Sequence, residues 1–305
     1  MKKDLLTLDD LTREDILNLI DAARRIKIGE LDVSRDMAGK VLGMIFQKPS
    51  TRTRVSFEVA MLEMGGHAIY LGWDQLQLAR GESIADTARV LSRYLDLIVA
   101  RVYEHSDLVE LAKHSDIPVI NGLSNDYHPV QILSDLFTIY ERFKRLRGLK
   151  LAFIGDGRSN ICHSLLLGCT KIGIDISLGV PKNYMPKADV LERAKNYSSE
   201  SGCSIEIYED PVKAVEGASI IYTDTFVSMG FEEEREERIK IFIPKYQVNS
   251  SLAKYAADDY VFMHCLPAHR GEEVTEDVID GPNSIVWDQA ENRLHMQKAV
   301  LRWII

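Results

Sequence analysis

The chain has 305 residues, of which 46% are hydrophobic and 27% are charged, and its formal net charge is -9. This composition is typical of a soluble globular protein, and the length is sufficient for two domains with separate cores. The negative charge argues against nucleic acid or an anionic membrane as the main partner, so an anionic substrate would require a local basic pocket.

The first residues, the apolar runs and the spacing of cysteines and histidines argue against secreted, membrane-spanning and metal-binding proteins. Residues 1–15 are too densely charged for a signal peptide, and no apolar run has the roughly 18 residues that a membrane helix requires. We therefore expect a cytoplasmic protein that does not bind membranes. The four cysteines contain no C-x-x-C pair and the eight histidines no H-x-x-x-H spacing. Neither a disulfide framework nor a metal site is expected, and no cofactor is indicated.

In chain order, the first predicted element is an amphipathic helix that begins at Thr12, with Asp15 in its first turn. Its apolar residues recur at helical spacing, at positions 16, 19, 20, 23 and 26. This pattern indicates packing against a core and carries no chemistry.

Residues 46–66 contain a predicted anion site. The apolar run 41–46 predicts a strand, Pro49 ends it, and Ser50-Thr51-Arg52-Thr53-Arg54 opens a helix that Gly65-Gly66 terminates. Backbone N–H groups at a helix start are unpaired and carry the positive end of the helix dipole. Hydroxyl groups and two guanidinium groups add donors that suit phosphate oxygens. An ordinary capped helix would explain one hydroxyl residue but not five consecutive anion-seeking side chains.

The rest of the first half continues to alternate between strands and helices. We expect strands at 67–71, 95–100 and 118–120, a polar loop at 74–83, a helix at 84–94 and a long helix from Pro129. Two strand ends are followed by Arg101 and by a loop that reaches His128. Ligand sites in parallel α/β sheets lie at such strand ends. The apolar pattern lapses near residues 145–148, where we place a domain boundary.

The second half repeats the alternation. Strands are predicted at 150–154, 174–178, 204–208, 219–222, 260–263 and 284–287, and a helix at 292–305 closes the chain. Strands separated by helices indicate a parallel, doubly wound α/β sheet in each domain. The acidic run 232–237 is interpreted as a solvated face, supported by the Glu234 to Arg238 helical spacing.

Gly155-Asp156-Gly157 follows a predicted strand and opens a helix, as in a dinucleotide-binding loop. The third glycine of that fingerprint is replaced by Asn160, and the next strand ends without an acidic residue for a ribose. A nicotinamide oxidoreductase is therefore disfavoured. Asn160 at a helix start could instead hold a substrate carboxylate.

Five segments together resemble the carbamoyltransferase family. They occur in family order and span almost the whole chain: S-T-R-T-R at 50–54, Arg101, H-P-V-Q at 128–131, D-T-F-V-S-M-G at 224–230 and H-C-L-P at 264–267. The first and third motifs indicate an enzyme that uses carbamoyl phosphate. The last two are similar to those of family members whose acceptor is ornithine.

The resemblance implies a carbamoyl-phosphate-binding domain at 1–145, completed by the last helix at 292–305, and an ornithine-binding domain at 146–291. In the first domain, it places the phosphate cradle on Ser50, Thr51, Arg52 and Thr53, assisted by Arg101. Donors to the carbamoyl oxygen are implied for Arg101, Thr53, His128 and Arg293, and partners of the carbamoyl NH2 group for the Gln131 amide and the Leu266 carbonyl. Gln77 falls where the family's loop reaches a neighbouring subunit, which implies a trimer or an assembly of trimers.

For ornithine, the resemblance assigns the α-carboxylate to Asn160 and the Met229 backbone, and the α-amino group to Asp224 and Ser228. Cys265 would lie near the attacking δ-amine and pair with Asp224 to orient it or relay its proton. The expected reaction gives L-citrulline and phosphate by direct amine attack, without a covalent enzyme intermediate. The alternatives are transfer to another amine, such as putrescine or N-acetylornithine, and a noncatalytic protein that binds an anionic metabolite.

Overall fold

The computed structural model describes residues 2–227, 230 and 232–305. The chain divides into two compact units. One is formed by residues up to Phe137 together with Glu291–Ile305, and the other by Thr138–Ala290. This division lies earlier in the chain than the boundary predicted near residues 145–148, and the limits of the two binding domains remain a prediction.

The first unit contains a four-stranded sheet with the order β2-β1-β3-β4, in which every pairing is parallel. Its strands are β1 (Val41–Phe46), β2 (His67–Gly72), β3 (Leu97–Arg101) and β4 (Val119–Leu123). Its helices are α1 (Arg13–Lys27), α2 (Thr51–Glu63), α3 (Ile84–Leu91), α4 (His105–His114) and the first part of α5 (Pro129–Phe143). Residues 74–83, predicted as a loop, contain two short 3-10 turns, Trp73–Gln75 and Gln77–Arg80.

Side-chain caps fix the starts of the first two helices. Thr12 and Asp15 form a reciprocal capping box at the start of α1, as the sequence predicts. Ser50 caps α2, because its hydroxyl accepts the N–H of Thr53 at 3.2 Å. The residues of α2 that face the core are Thr53, Phe57, Ala60 and Met61.

The second unit contains a five-stranded sheet with the order β7-β6-β5-β8-β9, again parallel throughout. Its strands are β5 (Lys150–Ile154), β6 (Asp175–Gly179), β7 (Ile205–Tyr208), β8 (Ile220–Thr223) and β9 (Val261–His264). Its helices are the end of α5, α6 (Asn160–Ile172), α7 (Ala188–Ser201), α8 (Pro211–Val215), α9 (Arg235–Phe242), α10 (Ser250–Ala253), α11 (Glu276–Ile279) and the start of α12 (Val286–Ile304). The predicted class, α/β with two parallel sheets, is confirmed.

One predicted strand, at residues 284–287, is wrong. Ser284 makes only an isolated bridge to Phe262, and α12 begins at Val286. The run of apolar residues there is short, and such runs do not distinguish a strand from the start of a buried helix. The closing helix is therefore longer than the predicted 292–305.

Both sheets reverse their strand order next to a central strand, and the loops after those strands carry the candidate site residues. In the first unit, Phe46 at the end of β1 pairs with Arg101 at the end of β3. In the second, Ile154 at the end of β5 pairs with Thr223 at the end of β8. Loops diverge at such points and leave a crevice, which is where ligands bind in this class of fold. Among the helices of the described chain, none has both the length and the apolarity needed to cross a membrane.

Candidate active site

The anion site of the first unit begins at the N-terminus of α2. Thr53 is fully buried, whereas Thr51 is exposed and Arg52 is half-buried. The Ser50 hydroxyl accepts the N–H of Thr53. The neighbouring N–H groups of the first turn are directed along the helix axis. This end of the helix therefore combines the positive dipole end with hydroxyl and guanidinium groups.

Arg54, the second arginine of the motif, is engaged elsewhere. Its Nε lies 3.2 Å from Glu58 Oε1 and its guanidinium lies 4.0 Å from the centroid of the Tyr70 ring. Two guanidinium groups were expected at the anion site. That of Arg54 contacts Glu58 and Tyr70 instead.

Three arginines of the first unit, Arg52, Arg101 and Arg293, lie near His128. Arg101 and Arg293 are buried like His128 itself. Burial lowers the pKa of His128 well below its ordinary value, and the positive charges of Arg293, Arg101 and Arg52 lower it further. The imidazole is therefore neutral at neutral pH, so it can donate one hydrogen bond and accept another.

Backbone pairing and a side-chain hydrogen bond hold two of these arginines. Arg101 ends β3, and its carbonyl accepts the N–H of Gln47 at 2.8 Å, which ties it to the loop after β1. Arg293 lies on α12, and its Nη2 donates to Thr53 Oγ1 at 2.8 Å. The structure thus brings together Thr53, Arg101, His128 and Arg293 from four separate parts of the sequence.

Gln131 and Gln77 have different surroundings. Gln131 is buried in the first turn of α5, where its Nε2 donates to Asp135 Oδ1 at 2.8 Å. Gln77 is exposed and begins a 3-10 turn. Its predicted role in a neighbouring subunit remains a prediction.

In the second unit, the ends of β8 and β9 place Asp224 beside Cys265. The Cys265 Sγ donates to Asp224 Oδ1 at 3.1 Å, and the N–H of Thr225 donates to the same oxygen at 2.8 Å. Burial raises the pKa of Asp224, against the opposing effects of His264 and of the hydrogen bonds from Cys265 and Thr225. The predicted Asp224–Cys265 pair is confirmed as a contact, and its catalytic role remains a prediction.

The other predicted ornithine residues are only partly described. Asn160 is half-buried and begins α6, which Ser159 caps by accepting the N–H of Cys162 at 3.1 Å. Ser228 and Met229 lie outside the described residues.

Comparisons with known proteins assign the chain to a family. Residues 3–141 match the sequence profile of the aspartate/ornithine carbamoyltransferase carbamoyl-P binding domain, and residues 147–304 match that of the Asp/Orn binding domain. The chain belongs to the aspartate/ornithine carbamoyltransferase family. The two matches follow the same order as the anion site and the Asp224–Cys265 pair.

Relatives of known name match this chain over nearly its full length. The ornithine carbamoyltransferase of Pyrococcus horikoshii is 56% identical, with 99% of this chain and 96% of the relative covered. That of Bacillus subtilis is 54% identical, with 99% and 94% covered. The solved structure of the Pyrococcus furiosus ornithine carbamoyltransferase has a TM-score of 0.94 and 57% identity, and the match covers 98% of this chain and 96% of that one.

The structure also shows functional candidates that the sequence analysis missed. His264 and Glu273 are buried, and His264 Nε2 lies 3.2 Å from Glu273 Oε1. Because His264 Nδ1 accepts the N–H of Leu266 at 2.9 Å, its proton resides on Nε2 and points to Glu273. Leu266 has a φ of 58°, an uncommon conformation for a bulky residue that is often found at functional sites. In the sequence, the only indication of a role for His264 was its place as the first residue of the H-C-L-P motif.

Lys48 and Arg238 are two further residues that the sequence analysis did not place at a site. Lys48 is buried just before the anion helix, where its Nζ bonds to Asn125 Oδ1 and lies 4.2 Å from the centroid of the Tyr103 ring. Arg238 is also buried and pairs with Asp156 in the loop after β5. Its Nε donates to the carbonyl of Phe226 at 2.6 Å, two residues before Ser228.

Among the described residues of the second unit, two groups of side chains have the donor types that metal ions use. They are Asp224, His264 and Cys265, and His269, Glu272 and Glu273, with the donor atoms of each group within 4.8 Å of one another. In the first group the thiol already donates to the carboxylate, and in the second the Glu273 carboxylate already pairs with His264 and accepts the N–H of His269. Neither group carries an assignment.

Proposed function

We propose that this protein transfers the carbamoyl group of carbamoyl phosphate to the δ-amine of L-ornithine, with L-citrulline and phosphate as products. The observation that carries the proposal is the gathering of Arg52, Arg101 and Arg293 around a neutral, buried His128 beside a helix N-terminus. The support for ornithine as acceptor is the identity of 56% over 305 residues to relatives named ornithine carbamoyltransferase.

In this proposal, the first domain comprises residues 1–145 and 292–305 and binds carbamoyl phosphate. Ser50, Thr51, Arg52 and Thr53 hold the phosphate with the N-terminal amides of α2, and Arg101 assists. A dianionic phosphate is stabilised there by both the helix dipole and charge-assisted hydrogen bonds.

The carbamoyl group requires donors at its oxygen and acceptors at its nitrogen. Thr53, Arg101, His128 and Arg293 donate to the oxygen, which becomes negative as the amine attacks. Donors fixed in advance around a developing oxyanion are commonly the largest source of rate enhancement. The Gln131 amide and the Leu266 carbonyl bind the NH2 group.

The second domain, residues 146–291, binds ornithine. Asn160 and the Met229 backbone hold the α-carboxylate, and Asp224 and Ser228 hold the α-amino group. Cys265 lies near the δ-amine and, with Asp224, orients it or takes part in removing its proton. A diamine such as putrescine offers no carboxylate to Asn160, so these residues favour a free amino acid.

The chemical step is direct attack of the neutral δ-amine on the carbamoyl carbon. A tetrahedral oxyanion forms, the bond to the phosphate oxygen breaks, and the amine loses its proton, so no covalent enzyme intermediate is required. An alkyl amine has a pKa of about 10.4, so the reactive neutral fraction is small at neutral pH and increases as the pH is raised.

The setting of the reaction is also part of the proposal. The relatives from P. furiosus and Campylobacter jejuni are named anabolic, which supports a role in arginine synthesis. We expect the protein in the cytoplasm, as a trimer or an assembly of trimers in which Gln77 reaches the neighbouring site. Exposed apolar side chains on α2 and β2, Val55, Leu62 and Ile69, are compatible with burial against another subunit.

The test is an assay with carbamoyl phosphate and, in parallel, L-ornithine, putrescine, N-acetyl-L-ornithine or L-aspartate, in which carbamoylated product and phosphate are measured. Product with L-ornithine alone is expected. Product only with another amine would retain the anion site and overturn the roles of Asn160, Asp224 and Ser228. Absence of product with every acceptor, from folded protein, would overturn the proposed activity.

A further inference from the structure

We infer that Asp135 is a positioning residue that makes this enzyme select a carbamoyl group over an acetyl group, because it fixes which end of the Gln131 amide faces the substrate. The inference rests on the proposed function, since it concerns the donor substrate of the same site. Both residues lie on α5 in the first unit, four positions apart, so their side chains share one face of the helix.

The first step of the argument is the orientation of the Gln131 amide. Its Nε2 donates to Asp135 Oδ1 at 2.8 Å, and both side chains are buried. A carboxylate accepts hydrogen bonds and donates none, so the NH2 end of the amide must face Asp135. The carbonyl end, Oε1, is thereby directed away from Asp135.

The second step concerns that oxygen. Gln131 Oε1 is buried, and no described residue donates a hydrogen bond to it. A buried acceptor without a donor is costly, and a ligand that brings an N–H group removes the cost. Gln131 lies three residues after His128, at the N-terminal end of α5, so the oxygen belongs to the basic site described above.

The third step is the chemical consequence. A carbamoyl NH2 group donates hydrogen bonds, whereas the methyl group of an acetyl analogue has the same size and donates none. With the amide fixed by Asp135, the acetyl analogue leaves Oε1 buried and without a donor. Without Asp135, the amide can rotate by 180°, so Oε1 is no longer held toward the substrate and the preference for the carbamoyl group falls.

The experiment compares phosphonoacetamide with acetonylphosphonate, which differ only in NH2 against CH3, by calorimetric titration of the complete protein. Wild type is expected to bind phosphonoacetamide at least about tenfold more tightly than acetonylphosphonate, because the ketone leaves a buried acceptor without its hydrogen bond. D135L should reduce this ratio to about threefold or less, with the affinity for inorganic phosphate unchanged. A wild-type ratio in D135L would overturn the inference.

Two further variants exclude a general effect on folding. D135N, nearly the same in shape, can donate to Gln131 Oε1 as well as accept from Nε2, so it should also lower the ratio by at least about threefold, and an unchanged ratio would overturn the inference. S134A is the matched control, because the Ser134 hydroxyl is buried on the same helix and donates to the Val130 carbonyl at 2.8 Å. S134A should retain the wild-type ratio, and a ratio reduced as in D135L would overturn the inference.

A double-mutant cycle tests whether Asp135 acts through Gln131. Q131L alone should lower the ratio at least as far as D135L does, and Q131L/D135L should show no further loss. Additive losses in the double variant would overturn the inference. Citrulline formation by wild type is measured separately. If citrulline forms and D135L keeps the wild-type ratio, the role of Asp135 is refuted and the proposed function stands. If no citrulline forms, the proposed function is refuted.

Discussion

Arg293 Nη2 and Thr53 Oγ1 are joined by a hydrogen bond of 2.8 Å, although 240 residues separate them in the sequence. A guanidinium group only donates, so the Thr53 hydroxyl accepts this bond and its own proton remains available to an anion. The last helix thereby determines which way the buried hydroxyl at the start of α2 points.

Replacement of Thr53 by valine preserves the shape of the side chain and removes the hydroxyl. We expect T53V to raise the KM for carbamoyl phosphate about tenfold or more and to lower kcat, because a hydrogen bond to a charged group is lost and Arg293 loses an acceptor. Steady-state kinetics measure both constants. S56A on the same helix, whose hydroxyl bonds to the Arg52 carbonyl, is the control and should change neither constant by more than about twofold. Equal effects of the two variants would contradict the assignment of Thr53.

The two arginines of the S-T-R-T-R motif should differ in importance. R52A should weaken carbamoyl-phosphate binding at least about tenfold with the fold intact, because a guanidinium–phosphate contact is lost. R54A removes a side chain that pairs with Glu58 and lies over Tyr70, and should alter the affinity less than about twofold. Titration calorimetry and circular dichroism provide the two measurements. Unchanged affinity in R52A would remove the anion-site assignment.

The lowered pKa of His128 predicts a simple pH dependence of activity. The imidazole stays neutral through its ordinary pKa of about 6.5, so only the ornithine amine should limit the reaction. We expect log kcat/KM for ornithine to rise with a slope of one from pH 6 to pH 8. A slope near two below pH 6.5 would show that His128 titrates there, in conflict with its buried environment.

The stability of the protein gives an independent measurement of the same group. Because the folded pKa of His128 lies below the unfolded value, the unfolded state takes up a proton first as the pH falls below about 6.5, and stability is lost in that range. Relative to H128Q, wild type should lose up to about 1.4 kcal/mol of unfolding free energy per pH unit there. Urea denaturation of both proteins at pH 7.5 and 5.5 measures this loss. An equal change in unfolding free energy for wild type and H128Q would contradict the prediction.

Cys265 should affect ornithine rather than carbamoyl phosphate. Because its thiol donates to Asp224, we expect C265S to lower kcat and raise the KM for ornithine several-fold, with a smaller effect on carbamoyl phosphate. C203S is the control, since Cys203 Sγ lies just after α7, where it accepts from the Ser201 hydroxyl at 3.3 Å and donates to the Thr170 carbonyl at 3.8 Å. Kinetics of C265S identical to those of C203S would return Cys265 to a packing role.

The Arg238–Asp156 pair should contribute strongly to the second unit. Their side chains are only 4% and 7% exposed, so R238M leaves a buried carboxylate without its charged partner and should cost about 3 kcal/mol or more. R235M breaks an ion pair with Glu272 in which the arginine is 51% exposed, and should cost less than about 1 kcal/mol. Urea denaturation measures both, and equal losses would contradict the difference in burial.

Local signals in the sequence were sufficient for several elements. β1 has the predicted bounds, 41–46, and Ser50 caps the anion helix, because an apolar run, a proline and a capping hydroxyl act within a few residues. Arg238 shows what such signals miss. Its helical spacing from Glu234 was visible and the pair is present at 3.3 Å, but its main partner, Asp156, lies 82 residues away. Glu273 and Asp135 were missed for related reasons, since burial and tertiary contact define their roles.

The assignment of Glu291–Ile305 to the first unit has a consequence for synthesis on the ribosome. Most of this unit emerges early, yet its core includes Met296, Val300 and Leu301, and its basic site includes Arg293. All four are translated after the whole second unit. The first unit of the nascent chain therefore remains incompletely packed, and the basic site around His128 is complete only once translation has nearly ended.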